Sequence, residues 1–381
     1  MHKPIYIDIH ILQSVPPSNI NRDDTGSPKT ARFGGVTRAR VSSQAWKKAT
    51  RDLFPELLDE QKIGQRTKHA VDLIAERIRQ KKADIAEVDA TKMAGEALGA
   101  TGIKVTNAET GYLLFLSPQQ ADELANLSFE ARESGVKLDK KVAKEVLDPK
   151  KRPVLNAVDI ALFGRMVADA PDLNVDASVQ VAHAIGVGRA ETEFDYFTAL
   201  DDRAPEDNAG AAMINTTEFT SATLYRYANI DVYHLCENLG SVEAACEGIA
   251  AFLKAFIVSM PTGKQNSFAN RTLPSAVVVQ LRDTQPVSLV NAFERPIVPH
   301  DGKSQVELAC EALVEQERAL DKAFDVTPEK TYVVCGSSDA TGIEALSSDG
   351  AIGLKDLVRG VVDQCASYLG CCGLSLEGQE R

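Results

Sequence analysis

The segment IYIDIHI, residues 5–11, decides the fold because its apolar and polar side chains alternate without a break. Isoleucine occupies every second position, and Tyr6, Asp8 and His10 stand between the isoleucines. A period of two residues is typical of a β-strand with one face on a core and the other in solvent. The sequence therefore predicts a half-buried strand at the beginning of the chain.

Further segments extend this strand into a core of helices and strands. Apolar patterns predict strands at residues 157–166, 224–235, 276–281, 287–294 and 331–335, and helices at residues 241–260, 304–323 and 354–367. Residues 56–150 have helical periodicity and predict an insertion, in which Ser117, Pro118 and Gln120 begin a helix. This order is consistent with an α+β fold built on a ferredoxin-like or RRM-like sheet with two large insertions.

Positive charge is concentrated near the amino end of an acidic chain. The 381 residues carry a net charge of -12, whereas residues 22–51 carry +6 and the remainder -18. A local basic patch binds phosphates even on an acidic protein, because salt screens each charge within roughly 10 Å. The acidic total keeps open a purely structural oligomer that binds no nucleic acid.

The basic window contains a predicted loop, an extended segment and a helix. Residues 14–35 hold several Pro, Gly and Asn residues and predict a long loop. Ser42 or Ser43 then caps a helix with a polar, basic stripe on one face and Trp46 on the buried face. Such a stripe is usually a solvated surface, but its position directly after RARV, residues 38–41, favours phosphate binding. The stripe consists of Gln44, Lys47, Lys48 and Arg51.

Residues 183–221 combine acidic residues with exposed-looking aromatics. Phe194, Tyr196 and Phe197 precede residues 203–213, which have no core pattern and predict a mobile loop. Either these rings form a small cluster under the segment, or one of them wedges against nucleic-acid bases.

Several classes of function lack their sequence signals. The chain has no phosphate-binding or dinucleotide-binding glycine motif and no G-x-S-x-G elbow. Its seven cysteines and six histidines have no metal-ligand spacing, so we expect no cofactor and no structural metal. The absence of a long apolar run and of a signal-peptide layout predicts a cytoplasmic protein. The enzymatic alternative is a Mg²⁺-dependent ribonuclease that uses the adjacent Asp23 and Asp24.

A series of motifs, in order from residue 12 to residue 294, closely resembles the CasC backbone subunits of Cascade, the type I-E CRISPR surveillance complex. These motifs are LQSVPPSNINRDD, FGG, RARVSSQAWKKA, ALFGRM, DYFTALDD, EFTSATLYRYANID, GKQNSFA and VNAFE. The resemblance implies a hand-like molecule with an RRM-like palm, helical fingers and a protruding thumb. The palm would comprise residues 1–53, 154–182 and 221–381, the fingers 54–153 and the thumb 183–220.

The resemblance also implies a function in antiviral defence without enzymatic activity. Copies of such a subunit stack head to tail along the guide RNA (crRNA) beside other Cascade subunits. Each thumb splays out one base at regular intervals, and the remaining bases pair with target DNA. Related backbone proteins of other CRISPR types cut target RNA with a loop aspartate, which keeps the Asp23/Asp24 alternative open.

Carried over motif by motif, the resemblance implies particular RNA contacts. Arg165 and Met166 match the place that packs beside the kinked base, and Phe197 matches the thumb aromatic. Lys264 and Gln265 match a second RNA-contacting loop. The full implied set is Arg22, Lys29, Arg38, Arg40, Ser42, Ser43, Gln44, Lys47, Lys48, Arg165, Met166, Phe197, Lys264 and Gln265.

Overall fold

The strand that begins at the IYIDIHI segment lies in the middle of the main sheet of the computed structural model, which describes residues 3–199 and 213–371. The strands are β1 Tyr6–Ser18, β2 Thr30–Phe33, β3 Val36–Val41, β4 Gln65–Thr67, β5 Val105–Thr106, β6 Glu109–Thr110, β7 Leu114–Leu116, β8 Val179–Val181, β9 Ala184–Gly186, β10 Glu193–Ala199, β11 Met213–Asp231, β12 Ala276–Arg282 and β13 Lys330–Cys335. The helices are α1 Ser43–Asp52, α2 Ala70–Lys81, α3 Glu87–Ala100, α4 Pro118–Ser134, α5 Lys140–Leu147, α6 Val158–Phe163, α7 Val232–Leu239, α8 Val242–Val258, α9 Gln265–Phe268, α10 Gln305–Phe324 and α11 Leu354–Cys371.

The main sheet is antiparallel and runs in the order β13-β12-β1-β11-β9-β3-β2, with β8 and β10 also paired to β11. In the register of β1, Ile9 lies between Ala228 of β11 and Val279 of β12. β8 and β1 both run antiparallel to β11, so β8 and β1 are parallel to each other. β11 and β12 both run antiparallel to β1, so β11 and β12 are also parallel to each other. Helices therefore connect two pairs of parallel strands across an intervening antiparallel strand.

Both faces of this sheet are buried. The isoleucine face of β1 packs on Phe252 and Phe256 of α8 and on α11, and the opposite face packs on Leu313 and its neighbours in α10. The half-buried strand that we predicted is therefore buried on both sides. The two layers of helices leave the edges of the sheet, rather than its faces, accessible to solvent.

The polar side chains Asp8 and His10 of β1 are buried because β11 and β12 supply partners for them. Asp8 pairs with Arg282 at 3.0 Å and accepts a hydrogen bond from the Tyr227 hydroxyl at 2.7 Å. His10 Nδ1 lies 2.9 Å from the Tyr225 hydroxyl, and burial lowers the pKa of His10 to about 3. Satisfied polar networks of this kind can occupy a core position that alternation alone assigns to solvent.

A second hydrophobic core belongs to the helical insertion. It is built by α2 to α5 together with residues 167–173, and includes Ile74, Leu98, Leu124 and Val146. The predicted helix start at residue 117 is confirmed, because Ser117 and Gln120 form a capping box at the beginning of α4. This core is separate from the one beneath the sheet, so the insertion packs around its own hydrophobic cluster.

Several predicted elements of the core are confirmed: α1, with Ser42 as its cap, and α8, α10, α11, β12 and β13. The predicted strand at 157–166 is wrong, because α6 forms there and ends at Gly164, whose φ is 81°. The predicted strand at 287–294 is wrong as well: it contains a short 3₁₀ helix, Val290–Phe293. Short apolar runs fit either state, so the surrounding contacts decide between helix and strand.

One loop prediction is wrong, and a second falls almost entirely outside the described residues. Residues 14–35 are not one loop, because β1 continues to Ser18 and a hairpin of β2 and β3 turns at Gly34 and Gly35. Much of the 183–221 segment has regular secondary structure, because every residue of β10 pairs with β11. The predicted mobile loop at residues 203–213 lies, except for Met213, outside the described residues.

Candidate nucleic-acid interface

Helix α1 begins where the loop at Asn21 meets the end of β3. The Ser42 hydroxyl accepts a hydrogen bond from the Ala45 amide at 3.3 Å, and the Ser42 amide donates to the Asn21 side chain at 2.9 Å. No acidic residue stands in the first turn of α1, so the positive end of the helix dipole is not neutralised locally. Ser43 and Gln44 follow at this end, with Gln44 exposed.

A cleft of about 940 Å³ separates α1 from the helical insertion. One wall is the predicted stripe of α1, and the other wall carries Arg66, Tyr112 and Leu113. Residues 163–166 and 174–177 form its floor. The fold therefore brings five of the predicted site residues to one concave surface: Gln44, Lys47, Lys48, Arg165 and Met166.

The two lysines of the cleft have different surroundings. The Lys47 ammonium lies 6.0 Å from the centre of the Phe163 ring, and burial lowers the pKa of Lys47. The Lys48 ammonium is exposed and pairs with Asp52 at 2.5 Å, one turn further along α1. A phosphate in the cleft would meet Lys47 directly and would compete with Asp52 for Lys48.

The last member of the stripe, Arg51, holds α1 against the neighbouring elements. Its guanidinium pairs with buried Asp159 at 2.7 Å, donates to the Gly64 carbonyl at 2.7 Å and lies 4.7 Å from the Phe115 ring centre. Burial raises the pKa of Asp159, and the hydrogen bond from Arg51 opposes that shift. Arg51 thus fixes one wall of the cleft to the other.

Arg165 and Met166 occupy neighbouring positions with opposite exposure. Arg165 is 4% exposed, and its guanidinium donates to the carbonyls of Leu147 and Leu173. Burial lowers the pKa of Arg165 to about 10. Met166 is 78% exposed on the cleft floor. Arg165 therefore fixes the backbone from which Met166 projects, and of the two only Met166 is free to meet a base.

Arg38 is also a buried arginine. It is fully buried, and its guanidinium donates to the carbonyls of Phe33, Gly186, Val187, Phe293 and Glu294. These acceptors tie the β2–β3 hairpin to β9 and to the VNAFE motif. A Cβ atom at Gly34 would lie 1.6 Å from the Glu294 carbonyl oxygen, so the turn permits only glycine. We assign Arg38 a structural role and exclude it from the interface.

A second group of cations lies beside the start of α1. Arg40 Nη1 lies 3.3 Å from Nδ1 of His183, an exposed residue that sequence reasoning missed. Burial and the positive charges of Arg40 and Lys29 lower the pKa of His183. The Arg40 amide also donates to the Lys29 carbonyl at 2.9 Å. Lys29 and Arg40 thus lie close together, on the amino-terminal side of α1.

A third group lines a depression of about 540 Å³, which joins the Arg22 loop to the second predicted RNA-contacting loop. It is lined by residues 20–26 and by Gly263, which directly precedes Lys264. Asp23 Oδ1 accepts hydrogen bonds from the Thr25 amide and hydroxyl and from the Ser27 amide, which lower the pKa of Asp23. That is the geometry of a turn-forming aspartate. No group of three His, Cys, Asp or Glu side chains in the described residues is arranged to hold a metal ion.

The β10–β11 hairpin presents aromatic rings on both of its faces. Phe194 and Tyr196 are 67% and 62% exposed on one face, whereas Phe197 shares the other face with Phe219. The Phe219 ring lies 5.8 Å from that of Phe268 in α9. Phe197 therefore lies on the same side of the hairpin as the loop of Lys264 and Gln265.

Sequence reasoning missed the wall of the cleft that the helical insertion supplies. Arg66 is exposed in the middle of β4, and Tyr112 and Leu113 precede β7. No local pattern marks these residues, because they face α1 only after the second core has folded against the sheet.

Comparison with known proteins gives two kinds of match. Residues 7–359 match the family described as CT1975-like protein. A chain of a solved "CRISPR RNA-guided surveillance complex, pre-nicking" is 32% identical with a TM-score of 0.80, and the match covers 94% of this chain and 100% of that one. A chain of a second "CRISPR RNA-guided surveillance complex" is 28% identical with a TM-score of 0.61, covering 94% and 99%. No curated protein matches the sequence. In the described residues, no helix is long and apolar enough to span a membrane.

Proposed function

Because this chain belongs to the CT1975-like protein family, we propose that it is a component of a CRISPR RNA-guided surveillance complex. More narrowly, it is the backbone subunit, of the type I-E CasC kind, that polymerises along the guide RNA. The similarity to chains of two such complexes over 94% of its length supports the first statement. The cleft of α1, in which predicted phosphate contacts converge, is the observation that carries the second.

The proposed architecture is an RRM-like palm with helical fingers and a thumb. The order β12-β1-β11-β8, with helices connecting each pair of parallel strands, supports the ferredoxin-like description of the palm. The separate core of α2 to α5 corresponds to the fingers, and the β10–β11 hairpin to the thumb. The proposed palm comprises residues 1–53, 154–182 and 221–381. The proposed fingers comprise residues 54–153, and the proposed thumb comprises residues 183–220.

The guide RNA is held by its phosphates rather than read by its bases. The three surface groups of cations and polar residues surround α1 and would follow a single strand past its amino-terminal end. The N-terminal amides of α1, flanked by Ser42 and Ser43, add donors for a phosphate. The proposed contacts are Arg22, Lys29, Arg40, Ser42, Ser43, Gln44, Lys47, Lys48, Lys264 and Gln265.

Exposed apolar groups would kink the strand. Met166 projects from the cleft floor, and Phe197 lies on the hairpin face next to the Lys264 loop. An apolar side chain inserted between bases unstacks them, and the bases left in register are free to pair with target DNA. We propose no catalytic step. Head-to-tail copies of this chain, the crRNA and other complex subunits are the proposed partners, in the cytoplasm.

Polymerisation along RNA predicts a specific stoichiometry. When the full-length chain is mixed with single-stranded RNAs of increasing length, we expect the number of bound copies to rise in proportion to RNA length. Sedimentation or single-particle mass measurement gives the number directly. A copy number that stays the same for every length, or a chain that forms the same oligomer without RNA, would contradict the proposal.

A further inference from the structure

A buried arginine in β11 contacts the underside of the proposed RNA-binding helix. Arg226 is 1% exposed, and its guanidinium lies between two aromatic rings, 3.7 Å from the centre of Trp46 and 4.7 Å from that of Phe256. Trp46 is the sole tryptophan of the chain and belongs to the buried face of α1. Among the described residues no carboxylate pairs with Arg226, so its charge is balanced by ring faces and neutral acceptors.

The acceptors of Arg226 lie on two other elements. Nη1 donates to the Gln13 side-chain oxygen of β1 at 2.6 Å, and Nη2 donates to the carbonyl of Phe256. That carbonyl belongs to the last turn of α8, where backbone carbonyls lack helical partners and a cation is favoured by the helix dipole. Arg226 therefore contacts α1, α8 and β1 at once.

Gln13 continues this chain of contacts to the second proposed RNA-contacting segment. Its Nε2 donates to the Thr272 carbonyl at 2.9 Å and lies 3.9 Å from the Met260 sulfur. Met260 and Thr272 are the two ends of the loop at residues 261–271, which carries Lys264 and Gln265. One buried path thus runs from α1 through Trp46, Arg226 and Gln13 to both ends of that loop.

Filling this space with a charged guanidinium costs free energy, because the charge is removed from water. Burial lowers the pKa of Arg226 to about 9, and an apolar side chain of similar volume would avoid the cost of removing a charge from water. Only arginine combines a plane that stacks between two rings with several donors at its rim. The shape and the hydrogen-bond donors of the arginine side chain, rather than its volume alone, therefore explain why arginine occupies position 226.

We infer that Arg226 is a positioning residue, which fixes α1 and the 261–271 loop relative to each other and so sets the spacing of their RNA phosphate contacts. This inference rests on the proposed function. Neither Arg226 nor Gln13 reaches the surface, so neither binds RNA itself. Their effect is on whether Lys47 and Lys264 engage one strand at the same time.

The test compares two buried arginines on opposite faces of the sheet. In full-length protein binding a fluorescein-labelled single-stranded RNA, Arg226→Lys should lower affinity about tenfold and reduce the slope of log affinity against log salt by about one phosphate. Arg282→Lys keeps a positive charge beside Asp8 but loses several hydrogen bonds of the buried guanidinium on the other face, so it should lower only the melting temperature. A folded Arg226→Lys protein with unchanged affinity and salt slope would overturn the inference.

A second variant cuts the same path further along and preserves the packing of Arg226. Gln13→Glu keeps an acceptor for the guanidinium but loses the N–H group that binds Thr272. Lys264→Ala should then weaken RNA binding in the wild-type background and have little further effect in the Gln13→Glu background. An equal effect of Lys264→Ala in both backgrounds would overturn the inference, even if Arg226→Lys does not fold.

Failure of this inference differs from failure of the proposed function. If changing the cleft lysines leaves RNA affinity intact, the proposed function is wrong. If those changes weaken binding while Arg226→Lys and Gln13→Glu are both neutral, only the positioning role is wrong.

Discussion

A protein with Lys47→Glu and Lys48→Glu is expected to lose RNA binding by a factor on the order of 100 or more, since each change replaces a phosphate contact with a repelled carboxylate. The loss should be largest at low salt, where phosphate contacts contribute most. Copurification of guide RNA with the complex should disappear. Fluorescence anisotropy with labelled RNA measures the loss, and the absorbance ratio of the purified complex reports its RNA content.

The matched control makes the same charge change away from the cleft. Lys322 and Lys355 are exposed on α10 and α11, so Lys322→Glu with Lys355→Glu alters net charge equally without touching α1. We expect RNA binding of this control to remain within about twofold of the wild type, because screening confines each charge to its neighbourhood. An equal loss in both variants would mean that net charge, and not the cleft, governs binding.

The second large effect concerns stability. Arg38→Met leaves five carbonyl groups without their donor, three of them in buried hydrogen bonds, and we expect it to lower the free energy of unfolding by about 3 kcal/mol or more. Urea unfolding followed by circular dichroism measures this change. The affinity of the folded fraction for RNA should change much less than its stability.

Arg22→Met provides the contrast for that prediction. Arg22 is exposed and lines the depression of about 540 Å³, so its loss should leave unfolding unchanged and weaken RNA binding severalfold. If instead Arg38→Met left stability intact and weakened RNA binding, the phosphate contact implied by the family resemblance would be the correct role for Arg38.

Local periodicity in the sequence predicted part of the fold correctly. The alternation from Ile5 to Ile11 identified β1, and the helical spacing of Gln44, Lys47, Lys48 and Arg51 identified the polar face of α1. Neither pattern contains information about what covers the opposite face. Asp8 and His10 are buried because α10, some 300 residues later in the chain, packs on them and Arg282 pairs with Asp8.

The arginines explain why the site was harder to predict than the fold. Arg38 and Arg40 stand two residues apart on β3, yet Arg38 is buried and Arg40 is partly exposed. A guanidinium serves equally well for phosphates and for clustered backbone carbonyls, so residue type does not separate the two roles. Arg38 has the structural role because carbonyls from β9 and from residues 293–294 accept its hydrogen bonds. These carbonyls come close to Arg38 only in the folded chain.

The central claim is that an RNA strand follows the surface around α1 and bends at the β10–β11 hairpin. Ultraviolet cross-linking of the RNA-loaded complex, followed by mass spectrometry of the attached peptides, tests it most directly. We predict cross-links within residues 22–48, at Met166, at Phe197 and at residues 264–265. Cross-links confined to α10, α11 or the outer helices of the insertion would contradict the account.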